Sequence, residues 1–213
     1  MLVGERMSHP VITMRADMPI IDALNMMKRE HVRRTPVIKD GKLVGIISEK
    51  DLLNATPSAA TTLSVWEMNY LLSKIPVSEV MTQNVLTVTE DTPIEEAARI
   101  MADNKVGGLP VLRGDEIIGI ISETDLFKVM LEMMGARERG VRVTIMVHDR
   151  PGGLAEITQA IATAGGNFIS FGTFLGDTPT KALITFKVEG IDQAKVKEIL
   201  TPLVEKLVDI RYC

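Results

Sequence analysis

The chain has little of what usually staples or stacks a small protein. Of its 213 residues one is a cysteine, Cys213, which excludes an intrachain disulfide and any paired-cysteine metal or redox motif and fits a reducing compartment. Its three histidines, His9, His31 and His148, lie far apart, and no G-x-S-x-G, P-loop or HExxH pattern occurs, so the case for an enzyme is weak. Aromatic residues make up 4%, too few for the stacking surfaces of single-strand nucleic-acid binders. The packing must rest instead on Ile, Val, Leu and 13 Met. No apolar run approaches the ~18 residues of a membrane span. The opening MLVGERMSHP carries charge by residue 5 and lacks the apolar stretch of a signal peptide. The expectation is a cytoplasmic, soluble protein with no membrane partner.

With 46% hydrophobic and 24% charged residues the composition is globular rather than disordered, and the length suits one or two domains at roughly 150 residues each. The formal charge of -4 and the lack of a basic recognition helix argue against a nucleic-acid partner.

A repeat organises the chain. Met7, Thr13, Pro19, Pro36, Gly45 and Asp51 recur as Met81, Thr87, Pro93, Pro110, Gly119 and Asp125 at a constant offset of 74 residues. Aligned without a gap, residues 5–53 and 79–127 are identical at 19 of 49 positions, so the two segments should share one backbone. In each, an extended VITM or VLTV leads to Asp17-Met-Pro19 or Asp91-Thr-Pro93, a helix start. Ile20, Ala23, Leu24 and Met27 then fall at helical spacing. Two β-rich stretches joined at Asp40-Gly41 or Gly114-Asp115 read as a hairpin, and a second helix begins at Ser48-Glu-Lys-Asp51 or Ser122-Glu-Thr-Asp125. Between the repeats a Ser/Thr/Ala/Pro linker becomes a helix over about 64–74, which Trp66, Tyr70 and Leu63 should pack down. After a Met-rich helix, 135–140 reads as a charged hinge. From Val141 the repeat is lost and the order becomes βαββαβ, the ferredoxin-like arrangement. The fold class is α+β, divided as 1–60, a linker and helix over 61–78, 79–135, the hinge at 136–140, and 141–213.

These residues carry a family resemblance. The paired P-V strand, G-I-I-S strand and S-x-x-D helix start make residues 1 to about 135 resemble a tandem pair of CBS domains, which implies a pseudo-twofold pair. Asp149-Arg-Pro-Gly152, Leu154 and Asn167 make residues 141–213 resemble an ACT domain. The order CBS, CBS, ACT, with the segment SVWEMNYLLSK, is similar to AcuB-like proteins, named for acetoin utilisation.

The CBS resemblance implies clefts for an adenosine-containing ligand such as AMP, ATP or S-adenosylmethionine. The implied contacts are Thr13, Arg33, Arg34, Thr35, Pro36, Ser48, Lys50 and Asp51, with Thr87, Leu109, Pro110, Ser122, Thr124 and Asp125 from the second repeat. A carboxylate can accept ribose hydroxyl protons, and a hydroxyl with free N–H groups favours an anion. The same Ser-x-x-Asp is also nearly a capping box, and the two roles can coexist.

Charge separates the repeats. Residues 5–53 hold 9 basic and 7 acidic side chains, residues 79–127 hold 3 and 10. Arg15, Arg33, Arg34 and Lys50 are replaced by Thr89, Gly107, Gly108 and Thr124. Phosphate contacts should therefore come from the Arg33–Arg34–Lys50 cluster, which can serve either cleft. The alternative for Lys28–Arg34 is a solvated helix C-terminus, and Gly107-Gly108 is either a close approach to ligand or a turn. His31 reads as a surface or cap residue, and no metal site or cofactor is expected.

The ACT resemblance implies effector contacts from Asp149, Pro151, Gly152, Gly153, Leu154 and Asn167, with an amino acid as the candidate ligand. Pro151-Gly152 fits a turn equally well, and a domain used only to dimerise would keep it. The expectation is a non-catalytic, ligand-sensing homodimer that acts on a partner protein the sequence does not name. A dimerisation scaffold without ligand sensing is the alternative.

Overall fold

The computed structural model describes residues 1–56 and 64–213. Leu63 and the start of the expected linker, with the boundary at 60/61, lie outside the described residues. The chain forms two compact units, residues 1–126 and 127–213.

In the first unit the repeat is visible as two copies of one small fold. The first contains β1 (Met14–Arg15), α1 (Ile20–Arg29), β2 (Arg34–Lys39), β3 (Lys42–Ser48) and α2 (Glu49–Asn54). After α3 (Val65–Leu72), the second contains β4 (Val88–Thr89), α4 (Ile94–Asn104), β5 (Gly108–Arg113), β6 (Glu116–Ser122) and the start of α5 (Glu123–Met133), whose later turns count with residues 127–213. Each copy is a three-stranded sheet in sequence order, with its short first strand parallel to the second. Asp40 and Gly41, both at positive φ, close the β2–β3 hairpin in two residues, as an Asp-Gly turn does. On α1 the buried positions are Ile20, Ala23, Leu24 and Met27, the set that helical spacing predicts.

The copies exchange their opening segments. Leu2 bridges Pro93 as Pro76 bridges Pro19, and Ser8 bridges Ile120 as Thr82 bridges Ile46. Every pair maps onto its twin by the 74-residue offset with the partners reversed, which is the signature of a pseudo-twofold. The Ile20 N–H donates to the Ile75 carbonyl, and the Ile94 N–H to that of Met1. Ile75, Val77, Val80 and Met81 accordingly pack in the core of the first copy.

Trp66 and Tyr70 do not pack α3 down. They are 85% and 64% exposed, whereas Leu72 is buried. Residues 66 and 70 lie one turn apart and share a face; that face is turned outward, and Leu72, about 200° round from Tyr70 at 100° per residue, reaches the core.

The second unit contains β7 (Val141–His148), α6 (Gly153–Thr163), β8 (Asn167–Leu175), β9 (Lys181–Glu189), α7 (Gln193–Leu200) and β10 (Lys206–Tyr212). The antiparallel sheet runs β10-β7-β9-β8, the ferredoxin-like order, and its core is apolar around Ile145, Ile161, Ile184 and Phe186. Lys187 of β9 is buried, and its ammonium donates to the carbonyls of Gly135 at 2.9 Å and Glu138 at 3.0 Å. Gly140 and Cys213 exchange backbone hydrogen bonds. Both ends of the 135–140 segment are thus held to this sheet. Among the described residues no helix is long and apolar enough to cross a membrane.

Candidate functional site: a cleft between the repeats

Ser48 ends β3 in extended backbone and caps α2. Its N–H and hydroxyl both donate to Asp51 Oδ2, at 2.8 and 2.6 Å, while the Asp51 N–H donates to Ser48 Oγ at 3.2 Å. This is the capping-box geometry. It occupies one carboxylate oxygen, and Asp51 Oδ1 keeps no partner among the described residues. Ser122 repeats the pattern on Asp125 Oδ2 at 3.1 and 2.6 Å.

Ser48 and Asp51 open onto a cleft of about 440 Å³. One wall is Arg34, Ile46 and Ile47 of the first repeat. The other is Thr82 and Asn84–Leu86, the exchanged segment, with Asn104–Leu109, the end of α4 and start of β5. The walls come from different repeats because the Thr82–Ile46 bridge lays the second repeat's opening segment along β3. Lys105 caps α4 in left-handed backbone, φ 55°.

The structure therefore brings together Arg34, Ser48, Asp51 and Leu109 from the expected set, and adds Asn84, Leu86, Asn104, Lys105, Gly107 and Gly108. The other expected residues do not line this cleft. Thr13 is half-buried beside β1, Arg33 and Lys50 are exposed, and Thr35 and Pro36 are buried in β2. Under the repeat offset, Val32–Thr35 correspond to Val106–Leu109, so Arg33 and Thr35 belong with Ser122 and Asp125 on the other side of the pseudo-twofold. Thr35 Oγ1 is buried there with no hydrogen-bond partner among the described residues. Thr87 borders a separate depression with Lys42, Gln83 and Asp115. Pro110 is buried in β5, and Thr124 is exposed on α5. The helical and turn patterns that locate single elements carry no sign of an exchange, but the repeat does: in a twofold pair each cleft draws on both copies.

In the second unit Gly152 precedes α6 at φ 84° with no side-chain cap; the Gly153 N–H donates to the Arg150 carbonyl at 3.2 Å, and the Leu154 N–H is left at the helix start. Asp149 and Pro151 beside it are exposed. A cleft of about 310 Å³ next to this loop is bordered by His148, Arg150, Gly153, Glu156 and Glu205. Glu205 pairs with Lys181 and holds its ammonium above the ordinary lysine range, chiefly through that hydrogen bond. Asn167 is not brought to this loop. It faces Glu189, to which its amide donates at 2.9 Å, whereas His148 is level with Lys181 at the other end of β9. Among the described residues no group of three or more His, Cys, Asp or Glu is placed to hold a metal ion.

Comparison with known proteins agrees with this fold. The CBS domain pair of protein MJ0100, solved with 5'-methylthioadenosine and S-adenosyl-L-methionine, is 27% identical and superposes with a TM-score of 0.52 over 65% of this chain and 98% of that one. CBSX2, solved with AMP, is 31% identical, TM-score 0.52, over 62% and 97%. AcuB of Vibrio cholerae, a putative acetoin utilization protein by its description, is 28% identical, TM-score 0.53, over 64% and 95%. The CBS domain model matches residues 3–58 and 77–132, more than half of the chain, and the TTHA0829-like ACT domain model matches 139–211. The chain belongs to the CBS domain family, as a tandem pair followed by a TTHA0829-like ACT domain.

Proposed function

We propose that the protein is a non-catalytic regulatory sensor that binds an adenosine-containing ligand in the cleft walled by Ser48 and Asp51. The observation that carries the reading is the division of labour within Asp51: Oδ2 closes the helix cap, and Oδ1 is left to accept ribose hydroxyl protons. The complexes of the MJ0100 pair and of CBSX2 support the same ligand class. Among the described residues the cleft lining includes no histidine or cysteine, which favours binding over turnover. Occupancy shifts the pair between states only by the ligand's difference in affinity for them.

The test is calorimetric titration of adenosine and AMP into the wild type, Asp51→Asn and Ser48→Ala. Asp51→Asn is expected to weaken both ligands by about 10-fold or more, the size of a lost charge-assisted hydrogen bond, with cooperative unfolding retained. Ser48→Ala loosens the cap but leaves the ribose acceptor. A wild type that binds neither compound would favour the dimerisation scaffold instead.

The uncapped first turn of α6, where the Leu154 N–H is left open, supports an amino-acid carboxylate as ligand of the second unit, read by a thermal-shift panel of amino acids. The likeness to AcuB supports a place in acetoin utilisation, tested by growth on acetoin with the gene deleted.

A further inference from the structure

Arg34 and Gly108 occupy the same position in the two repeats, and they touch. A Cβ built on Gly108 would stand 3.1 Å from Arg34 Nη1 and 3.5 Å from its Cδ; one on Gly107 would stand 2.5 Å from Nη2 and 2.9 Å from Nη1. The guanidinium thus lies along bare glycine backbone beside the pseudo-twofold, in space that a side chain from the second repeat would otherwise fill. Two equivalent positions that meet at an axis cannot both carry a long cation: each would occupy the other's volume, and the like charges would repel. The pair resolves the conflict by having arginine on one side and glycine on the other.

Among the described residues no ion pair closes on this arginine. Arg15, Arg29, Arg99, Arg113, Arg142, Arg150 and Arg211 each pair with a carboxylate. Arg34 makes no side-chain hydrogen bond or ion pair among the described residues. Arg33, Arg137 and Arg139 share that lack but are exposed, whereas Arg34 is half-buried in the cleft wall with Ser48 and Asp51. A partly desolvated cation without a partner is costly until an anion reaches it. Lys105 adds a second cation to the lining. The carboxylate of Glu123 lies on the far side of the same Gly107 position, 2.7 Å from where its Cβ would stand, near the guanidinium but without a hydrogen bond to it, so the N–H donors of Arg34 stay open to a ligand.

We propose that Arg34 makes this cleft selective for adenosine compounds that carry a phosphate, against neutral adenosine and against a sulfonium compound such as S-adenosylmethionine. The inference rests on the adenosine reading above. A planar guanidinium offers a phosphate two parallel N–H donors, while a sulfonium placed there meets like charge. Gly107 and Gly108 are positioning residues, since a side chain at either displaces the arginine.

The experiment is calorimetry with AMP, adenosine and S-adenosylmethionine on the wild type, Arg34→Gln and Gly108→Ala, at low and raised salt. Wild type is expected to bind AMP at least ~10-fold tighter than the other two, the scale of one bidentate charged contact, with AMP affinity falling as salt rises. Arg34→Gln should weaken AMP to within about 3-fold of adenosine, cost AMP far more than it costs adenosine, and flatten the salt dependence. Gly108→Ala should act in the same direction. Equal losses of AMP and adenosine in Arg34→Gln, or a wild type that holds S-adenosylmethionine as tightly as AMP, would overturn the selectivity while leaving the adenosine site standing. Absence of binding by all three to wild type would overturn both.

Discussion

Met7 stands where a side chain on Gly119 would have to go: a Cβ there would lie 2.4 Å from its sulfur and 3.0 Å from its Cγ, with the Ser8 carbonyl at 3.2 Å. Met81 does the same above Gly45. In each repeat, then, a missing side chain on the sheet admits a methionine from the exchanged segment. Gly119→Ala is expected to destabilise by about 1–3 kcal/mol through overpacking, measured by urea denaturation. Because the clash includes Met7, the double variant with Met7→Ala should cost less than the sum of the single changes.

Lys187 puts a buried ammonium under the carbonyls of Gly135 and Glu138. Lys187→Met keeps the apolar stem and removes the donor, so two carbonyls lose a charged partner. The expected cost is about 2–3 kcal/mol. Trypsin should also cut faster at Arg137 and Arg139, which are already exposed, once the segment is released; unchanged cleavage would show that Gly140 and Cys213 hold it alone.

The hydroxyl of Thr35 is buried without a partner among the described residues. Thr35→Val replaces it with a methyl group of similar size. Stability should rise by about 1 kcal/mol, the desolvation cost of an unmatched hydroxyl. A loss of that size in the same denaturation assay would mean that the hydroxyl is bonded in solution.

Asp209 is held below the usual aspartate range, first by its hydrogen bond from Arg211, then by the charges of Arg211 and Arg142. A carboxyl whose folded pKa is depressed stabilises the fold above the unfolded value, near 3.9, and that contribution disappears as pH falls through the folded value. Asp209→Asn should therefore be less stable than wild type at neutral pH. The difference should shrink below about pH 4. A gap that stayed constant down to acid pH would rule out this linkage.

How much of this was legible in the sequence depended on whether the cause was local. The faces of α1, the Asp40-Gly41 turn and both Ser-x-x-Asp caps are written in a few adjacent residues, and each forms as its pattern implies. The wall opposite Asp51 is not local: Asn104–Leu109 reach it only because the opening segments trade places. The charge pattern leaves open which cleft the Arg33–Arg34–Lys50 cluster serves, and of those three only Arg34 lines the cleft of Ser48 and Asp51. Trp66 and Tyr70 show a different limit, since their aromatic bulk suggested burial while helix phase decided exposure. Asn167 and Asp149 are both near glycines in sequence, yet strand length sends them to opposite ends of the sheet.

The exchange of opening segments also bears on how the pair assembles. A single repeat on its own leaves the groove along β3 uncovered and its opening segment, which here lies on the other copy, without a surface to rest on. Neither half can complete its core alone, so an excised repeat is expected to recover the missing contacts only by embracing a second copy of itself.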